Sequence, residues 1–309
     1  MTGPRESEPL LSGVVVHWHN EDELARLLDA WPQNTPLVVV DNSHSAIEPS
    51  ARPEVLWLDP TDNLGFGGGC NAGVEATATP WVLLLNPDAT IDPQSLQTLT
   101  DRARTWSIED PRLALIAPRL VDEHGKANQY SWQLKPLPRP VDLIAQCFFL
   151  ARPKGPSVEP ADAAPVEQPA AAALLVRRSA FDEVGGFDSR FAPAWFEDVD
   201  LAHRLRDAGW HARYARTVTV RHDGGASVSP LGFGRFLVIY TRNLKRYAEA
   251  RGWTRTAGCV RPAVVIATTL RLPFVLLRRP KATTSRMDAV RSLWMLLRSA
   301  LKGWPETMA

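Results

Sequence analysis

Residues 81–88 read WVLLLNPD, an apolar run of five residues that ends in a polar turn. A helical pattern, EDELARLLDAW at 21–31, stands earlier in the chain, and Asn20 with Glu23 forms a capping-box pattern at its start. Continuous apolar runs that alternate with helices are typical of a parallel sheet covered on both faces. Similar runs lie on either side: GVVVHW at 13–18, LVVVD at 37–41, EVLWL at 54–58 and LALIAP at 113–118. The sequence therefore predicts an α/β protein with a mostly parallel sheet.

Polar residues end several of these runs, and ligands of such sheets bind beyond the carboxyl ends of the strands. Asp41 ends one run in VVVDNSHS, where a plain turn acid is an equally good interpretation for the residue alone. Asn86 and Asp88 end another run. Their Asn-Pro-Asp turn presents oxygen atoms suited to a hard divalent cation. These three residues are candidate site residues.

The glycine-rich segment NLGFGGGCNAG at 63–73 allows three interpretations. It contains the GxGxxA spacing of a dinucleotide-binding motif, but that motif belongs after the first strand and here it follows the third. Alternatively, the glycines let the backbone approach a nucleotide diphosphate or sugar, with amides from Asn63 and Asn71 at either end. The third interpretation is a tight turn that leads into a helix. We take the second as the working hypothesis.

The second half of the chain carries the motifs EDVD and RHDGG. Glu197 and Asp198 start the predicted helix EDVDLAHRLRDAGW, where the helix dipole alone favours acids. Asp200 stands four residues before Arg204, which indicates a structural pair at the helix surface. His222 ends the strand pattern TVTVRH and, taken alone, is either a satisfied edge histidine or a metal ligand.

Five stretches, taken in order along the chain, closely resemble glycosyltransferase family 2, in particular its rhamnosyltransferase-like branch. They are VVVDNSHS, NLGFGGGCNAG, LLLNPDA, the stretch from AAALLVRR to RDAGW, and VRHDGGAS. The resemblance covers roughly residues 12–230, and five motifs in one order are far more specific than any one of them. It implies a GT-A fold, which is a Rossmann-like, mostly parallel sheet flanked by helices. It also implies a nucleoside-diphosphate sugar as donor, Mn²⁺ or Mg²⁺ as cofactor, and inversion at the anomeric carbon.

The resemblance implies roles for the strand-end residues. Asp41 matches the acid that contacts the nucleotide base or ribose, and Asp88 matches the last acid of the family's DxD metal motif. That motif reads Asn86-Pro87-Asp88 here and so lacks its first acid. Nucleotide-sugar binding is expected of one set of residues: Asp41, Asn63, Gly65, Gly67, Asn71, Asn86 and Asp88.

The resemblance assigns the reacting groups as well. His222 matches the histidine that completes the metal or diphosphate contacts, so Asp88 and His222 are the expected metal ligands. Asp198 matches the acid of the family's ED motif, the proposed catalytic base. A cation offsets charge on the departing nucleoside diphosphate while the base takes the acceptor's hydroxyl proton. The residues beside Asp198 are expected to form the acceptor site: Trp195, Phe196 and Glu197.

The predicted reaction transfers L-rhamnose from dTDP-rhamnose to a polyprenyl-diphosphate-linked saccharide in cell-wall or polysaccharide biosynthesis. A family 2 transferase that uses a UDP-hexose or UDP-galactofuranose is the alternative enzyme, because sugar identity depends on pocket shape and one or two hydroxyl contacts. Two further possibilities are a catalytically silent sugar-nucleotide-binding protein and a dinucleotide oxidoreductase. The presence of Asp88, Asp198 and His222 together favours a transferase.

Composition narrows the partners and the compartment. The 309 residues hold 35 Lys+Arg against 34 Asp+Glu, a formal charge of +1, so no nucleic-acid partner is expected. Cys70, Cys147 and Cys259 lack zinc-site spacing, and the polar N-terminus lacks a signal-peptide pattern. These features predict a cytoplasmic protein whose residues 1–11 are disordered. They leave its oligomeric state open.

We place the GT-A domain at residues 12–250, with the Pro- and Ala-rich residues 151–169 as a mobile loop, and a basic amphipathic tail at 251–309. Residues 260–279 are apolar but carry three interruptions, which disfavour a clean spanning helix: Pro262, Arg271 and Pro273.

Residues 288–304 have the pattern of an interfacial helix, with one apolar face: Val290, Leu293, Trp294, Leu297, Ala300 and Leu301. Basic residues flank the apolar parts of the tail: Arg271, Arg278, Arg279, Lys281, Arg291, Arg298 and Lys302. We therefore predict a peripheral protein on the anionic inner face of the plasma membrane. The alternative is that the apolar face packs on the catalytic domain.

Overall fold

The structure is a computed structural model of the chain, and it describes residues 9–44, 52–127, 129–150, 154–223, 231–277 and 285–304. Predictions that fall on residues 1–8 or 151–153 lie outside the described residues, as do those that concern Arg278, Arg279 and Lys281.

The described strands are β1 (Leu11–His17), β2 (Leu37–Asp41), β3 (Val55–Leu58), β4 (Trp81–Leu85), β5 (Ala89–Ile91), β6 (Leu113–Val121), β7 (Leu134–Lys135), β8 (Gln168–Pro169), β9 (Ala173–Arg177) and β10 (His211–His222). Eight of them form one sheet in the order β3-β2-β1-β4-β9-β6-β10-β5, and β7 pairs with β8 separately. The pairs β1–β2, β1–β4, β2–β3 and β6–β10 are parallel. Strand β9 runs antiparallel between β4 and β6, and β5 is antiparallel to β10. The predicted α/β fold with a mostly parallel sheet is confirmed.

The described helices are α1 (Glu21–Ala30), α2 (Gly65–Glu75), α3 (Pro93–Glu109), α4 (Tyr130–Gln133), α5 (Pro140–Cys147), α6 (Arg178–Glu183), α7 (Glu197–Asp207), α8 (Phe233–Ala250), α9 (Thr254–Leu277) and α10 (Arg286–Leu301). Helices α1 and α3 cover one face of the sheet, and α2, α6 and α7 cover the other, which explains why every residue of β1, β2 and β4 is buried. Asn20 makes no side-chain hydrogen bond to α1, so the predicted capping box is wrong.

Residues 154–169, predicted to be part of a mobile loop, are instead packed against the sheet. Glu159 pairs with Arg119 at 2.7 Å and accepts a hydrogen bond from the Tyr214 hydroxyl at 2.9 Å. The backbone N–H of Ala163 donates to the Tyr214 carbonyl at 2.8 Å. The composition of the segment gave no sign of this packing, because its anchor is one carboxylate whose partners are distant in sequence.

The C-terminal helices α8, α9 and α10 pack on one another and on α5 around a third core. Leu293, Leu297 and Ala300 of α10 are buried in this core, so the prediction that they form an interfacial face is wrong. The packing alternative holds for them. From the same predicted face, Trp294 and Leu301 are exposed, at 59% and 56%.

Helix α9 runs without a break through Pro262 and Pro273, two of the three residues that were predicted to disfavour a clean spanning helix. Both prolines lie on its exposed side. Within the described residues, Thr254–Val275 is the one stretch long and apolar enough to cross a membrane by length and composition. A third of it is buried inside the protein, at 33%.

Candidate active site

The carboxyl ends of three neighbouring parallel strands meet at one edge of the sheet. Strands β1 and β2 pair with His17 opposite Asp41, and β4 lies on the other side of β1. Asp41 is 5% exposed, and its Oδ1 accepts hydrogen bonds from the Ser43 backbone N–H and hydroxyl at 2.9 and 2.7 Å. The expected turn after Asp41 is present, and Asp41 lies at the edge where the resemblance puts the nucleotide.

Strand β1 contributes His17, which the sequence analysis did not single out. Its side chain is fully buried, and neither ring nitrogen has a hydrogen-bond partner. Nε2 lies 4.0 Å from the nearest carboxylate oxygens of both Asp41 and Glu21. Burial lowers the pKa of His17, which favours the neutral ring. The sequence did carry a signal that could have identified His17, because it lies at the end of an apolar run, as Asp41 does.

Asn42 holds the turn that precedes helix α2. Its Nδ2 donates to the Gly65 carbonyl at 3.0 Å, and its Oδ1 accepts from the Leu64 N–H at 3.1 Å. Asn63 Oδ1 accepts from the Gly65 N–H at 2.8 Å. Gly65 has φ +70°, and a Cβ there would lie 2.8 Å from the Pro193 carbonyl oxygen, so the position requires glycine.

The glycines inside α2 allow the helix to approach its neighbours closely. A Cβ on Gly73 would lie 2.3 Å from Cγ1 of Val14 in β1, and one on Gly67 would lie 3.0 Å from Cβ of Phe187. Asn71 donates to the Phe187 carbonyl and accepts from the Phe187 N–H, both at 2.8 Å. The segment is therefore a turn that leads into a helix, the third interpretation. Donor binding by Gly67 and Asn71 stays a prediction, and close packing is a sufficient reason for both residues.

Asp88 and His222 come together where β5 pairs with β10. His222 Nε2 lies 3.5 Å from Asp88 Oδ1, and both side chains are 3% exposed. His222 Nδ1 is 2.8 Å from Gln129 Oε1, and Gln129 Nε2 donates to the His222 carbonyl at 2.8 Å. Because the Gln129 amide is oriented by that second bond, Nδ1 is the protonated nitrogen and Nε2 keeps its lone pair.

This pair fits a divalent cation. Asp88 Oδ1 is buried without a hydrogen-bond partner, and burial lowers the pKa of His222, so two electron-pair donors face each other. In the described part of the chain no three His, Cys, Asp or Glu side chains are grouped as metal ligands. A cation here would take its other ligands from the donor diphosphate and water, as Mg²⁺ commonly does. Asn86, half-buried, begins the same turn.

Gln129 is a site residue that the sequence analysis missed. Its two hydrogen bonds fix the ring of His222, and Trp132 packs edge-on against that ring with centroids 5.6 Å apart. Histidine ligands commonly depend on such a partner for their tautomer and orientation. No pattern marks Gln129, because its stretch of the chain has no clear period.

Asp198 stands in the first turn of α7, and several groups hold its carboxylate. Oδ1 accepts from the Val199 N–H at 2.8 Å, and Oδ2 accepts from Gln168 Nε2 at 3.2 Å. Burial raises the pKa of Asp198, while the Lys135 ammonium and backbone N–H groups, including that of Ala171, oppose the rise. An ionised carboxylate whose pKa is raised is a better general base than an ordinary aspartate.

The segment before β9 joins this carboxylate to the strand edge. The Ala171 N–H faces Asp198 and helps to lower its pKa, and the carbonyl of the next residue, Ala172, accepts from the Asn86 N–H at 2.9 Å. Asn86 begins the turn that carries Asp88. The candidate base and the candidate metal ligands, which come from different halves of the chain, are thus tied to adjoining backbone.

A pocket of about 160 Å³ opens beside Asp198. Trp195 and Phe196 form part of its wall in left-handed backbone conformations, with φ of 74° and 76°. Asn243 of α8, fully buried, stabilises this unusual backbone by donating to the Trp195 carbonyl at 3.1 Å and the Ala194 carbonyl at 2.8 Å. The other lining residues are Lys135, Pro136, Pro138, Gln146, Gln168, Ala170, Glu197, Asp198, Val199 and Tyr240.

The two other acids of the EDVD motif differ from Asp198. Glu197 is 7% exposed, and burial next to Asp198 raises its pKa well above the ordinary range. Asp200 pairs with Arg204 at 2.7 Å, as expected, but the pair is not at the helix surface because Asp200 is 2% exposed. Arg204 also donates to the Gly186 carbonyl at 2.7 Å. Asp200 is therefore a buried structural residue.

No family model matches the chain. It is 31% identical over 224 residues to the N-acetylglucosaminyl-diphospho-decaprenol L-rhamnosyltransferase of Mycobacterium tuberculosis, a match that covers 66% of this chain and 71% of that protein. It is 23% identical over 220 residues to the low-salt glycan biosynthesis hexosyltransferase Agl10 of Haloferax volcanii, covering 69% and 67% respectively.

Two solved structures share the fold. GalNAc-T7 with UDP, GalNAc and Mn²⁺ has a TM-score of 0.55 at 14% identity and covers 79% of this chain and 48% of that one. The mannosyltransferase PcManGT of Pyrobaculum calidifontis with GDP-Man and Mn²⁺ has a TM-score of 0.51 at 16% identity, covering 95% and 86%. The fold is thus that of the GT-A glycosyltransferases. With the identity to the mycobacterial enzyme, the chain belongs to glycosyltransferase family 2, in its rhamnosyltransferase-like branch.

Proposed function

We propose that this glycosyltransferase transfers L-rhamnose from dTDP-rhamnose, with inversion, to a saccharide carried on polyprenyl diphosphate. The observation that carries the proposal is the half-buried Asp198 carboxylate in its own pocket, joined through the Ala171–Ala172 backbone to the turn that bears Asp88. The mycobacterial relative is named for a rhamnosyl transfer to a diphospho-decaprenol saccharide, which supports this donor and acceptor class.

The proposed reaction is a single displacement. The acceptor hydroxyl lies in the pocket beside Trp195 and gives its proton to Asp198 as its oxygen bonds to the anomeric carbon of the donor sugar. The bond from that carbon to the phosphate oxygen breaks on the opposite side, and its electron pair leaves with the nucleoside diphosphate. When bound by Asp88 and His222, a divalent cation supplies positive charge for this leaving group. Asp41 holds the nucleotide at the end of β2.

A transfer assay with purified full-length protein and Mn²⁺ tests the proposal. We expect dTDP-rhamnose, but not UDP-galactofuranose or a UDP-hexose, to yield product on a polyprenyl-diphosphate N-acetylglucosamine acceptor. Product from a UDP-hexose alone would establish the alternative donor, which the similarity to an archaeal hexosyltransferase favours. Nucleotide binding without transfer to any acceptor would contradict the enzymatic proposal.

We also propose that the protein docks on the anionic inner face of the plasma membrane through α9 and α10. The side of α9 that faces away from the core exposes Ile266, Leu270 and Phe274, at 51%, 61% and 65%. These residues follow one another at i,i+4 spacing, and α9 contains no acid. An apolar face at this spacing, next to basic residues, is typical of a helix that lies in a membrane interface.

Helix α10 supplies the charge for this docking. Arg291 and Arg298 are exposed on the same face of α10 as Trp294 and Leu301, because these four residues recur every three or four positions. Each arginine near an anionic bilayer contributes about 1 kcal/mol of attraction, and an exposed tryptophan favours the headgroup layer. The polyprenyl chain of the proposed acceptor lies in the bilayer, so the enzyme has to meet its acceptor at the membrane surface.

Substitutions test the docking better than a truncation, because removing α9 and α10 would dismantle the third core. We expect full-length protein to sediment with phosphatidylglycerol vesicles at low salt and to be released by high salt. The double variant Leu270→Ser/Phe274→Ser should remain in the supernatant. The matched control is Ile108→Ser on α3, since Ile108 is 79% exposed but belongs to the sheet domain. Equal sedimentation of the double variant and the control would contradict the docking.

A further inference from the structure

The short sheet of β7 and β8 faces the Asp198 carboxylate. Lys135 and Gln168 are paired residues in this sheet. Gln168 is 4% exposed and donates to Asp198 Oδ2, and the half-buried Lys135 lines the same pocket. Two adjacent positions thus bring an amide donor to the Asp198 carboxylate and an ammonium to the pocket that contains it.

The charged groups around Asp198 come from three elements. Lys135, from β7, is the one cation among the described residues that line the pocket. Glu197 is the neighbouring acid on α7, and burial together with the charge of Glu197 raises the pKa of Cys70 of α2. Burial makes ionisation costly for both acids and the cysteine, so a positive charge beside Asp198 decides which of the two carboxyls is ionised.

We propose that Lys135 is a positioning residue for the Asp198 base: its ammonium keeps the Asp198 carboxylate ionised inside the pocket, while Gln168 fixes the orientation of that carboxylate. The inference rests on the proposed role of Asp198 and deepens it. Glu197 is more deeply buried, and no cation is among the described groups that shift its pKa, so Glu197 stays protonated and Asp198 is the carboxylate that accepts the acceptor's proton.

The direction of the effect follows from the charges. Burial raises the pKa of Asp198, and the Lys135 ammonium lowers it. Without the ammonium, Asp198 takes up its proton at a higher pH, and activity, which needs the ionised form, is lost at a higher pH as the solution is acidified. A role of Lys135 in binding the acceptor's diphosphate would instead raise KM for the acceptor and leave the pH of this loss unchanged.

The test uses full-length protein labelled with ¹³C at the aspartate carboxyl carbons, with the Asp198 resonance assigned by its absence in Asp198→Asn. We expect the titration midpoint of Asp198 in Lys135→Met to rise by about one pH unit or more, and Lys135→Arg to return it to near the wild-type value. In each variant, the acid limb of kcat/KM against pH should shift by as much as the Asp198 titration midpoint of that variant. An unchanged midpoint in Lys135→Met, or a rise in acceptor KM alone, would overturn the inference.

The NMR titration needs no substrate, so the two proposals fail in different ways. Full turnover in Asp198→Asn would refute the base assignment whatever Lys135 does. Loss of turnover in Asp198→Asn together with an unmoved titration in Lys135→Met would refute only the role of Lys135. Unfolding of Lys135→Met is detected by its thermal midpoint, and Lys135→Gln, which keeps much of the length of the side chain without the charge, then replaces it.

Discussion

Replacing Asp198 with asparagine removes a base while keeping the local hydrogen bonds. The introduced asparagine can keep its side-chain oxygen on the Val199 N–H, which the backbone fixes at 2.8 Å in the wild type. Its new amide group then faces Gln168, whose side-chain amide needs only to rotate by half a turn to present its oxygen. We therefore expect Asp198→Asn to fold with near-normal stability.

The expected loss of activity is large because no other group in the pocket can take over. Glu197 is buried with a pKa well above its usual range, and Asp200 is committed to Arg204. General-base help contributes roughly 10²–10⁴-fold. We expect kcat to fall at least about 100-fold, or about 2.7 kcal/mol in the activation barrier, with the affinity for dTDP and Mn²⁺ measured by calorimetry nearly unchanged.

The matched control is Asp207→Asn on the same helix, where the side chain is 43% exposed and pairs with Arg206. It should retain wild-type kcat. If Asp198→Asn retained kcat as well, the base assignment would be wrong, and Glu197 would be the next residue to test. If kcat and nucleotide affinity fell together, Asp198 would act in donor binding rather than in proton transfer.

Three further predictions concern the metal ligands and the glycine helix. Asp88→Asn should abolish the gain in nucleotide affinity that Mn²⁺ produces, and calorimetry with an unchanged gain would contradict the assignment. Gln129→Leu should weaken Mn²⁺ binding about tenfold, measured by electron paramagnetic resonance, because His222 loses the partner that orients it. Gly73→Ala should lower the free energy of unfolding by about 1–3 kcal/mol in a urea titration, since its Cβ has no room against β1, whereas Gly258→Ala in open space on α9 should not destabilise the protein.

The strands of the sheet were predictable where both faces are buried and every residue therefore has to be apolar. Strand β2 has the predicted bounds, Leu37–Asp41, because a strand covered on both faces needs a continuous apolar run. The direction of β9 was not predictable, since its apolar run reads the same in either orientation and only the chain connections settle it. The continuity of α9 was missed because the rule that proline ends a helix ignores which side of the helix the proline occupies.

The candidate site was predictable only through its chemistry-bearing motifs. Asp88 and His222, distant in sequence, were paired by motif resemblance, and the structure brings them within 3.5 Å. Gln129 and Asn243 were missed because they act by positioning other residues through hydrogen bonds, and such residues follow no recognisable spacing in the sequence. The role of the glycine segment cannot be read from its motif alone. Its spacing is the same whether glycines make room for a phosphate or for a strand.

The position of helix α8 bears on which acceptors the proposed membrane docking would allow. Tyr240 of α8 lines the pocket, and α9 packs directly against α8. The pocket and the apolar face that we propose to meet the bilayer therefore belong to neighbouring packed helices, whose axes lie roughly 8–10 Å apart. A sugar hydroxyl that reaches Asp198 while its lipid remains in the membrane must stand near the lipid end of the saccharide. If the enzyme docks as proposed, we therefore expect it to act on short saccharides, close to the lipid that carries them.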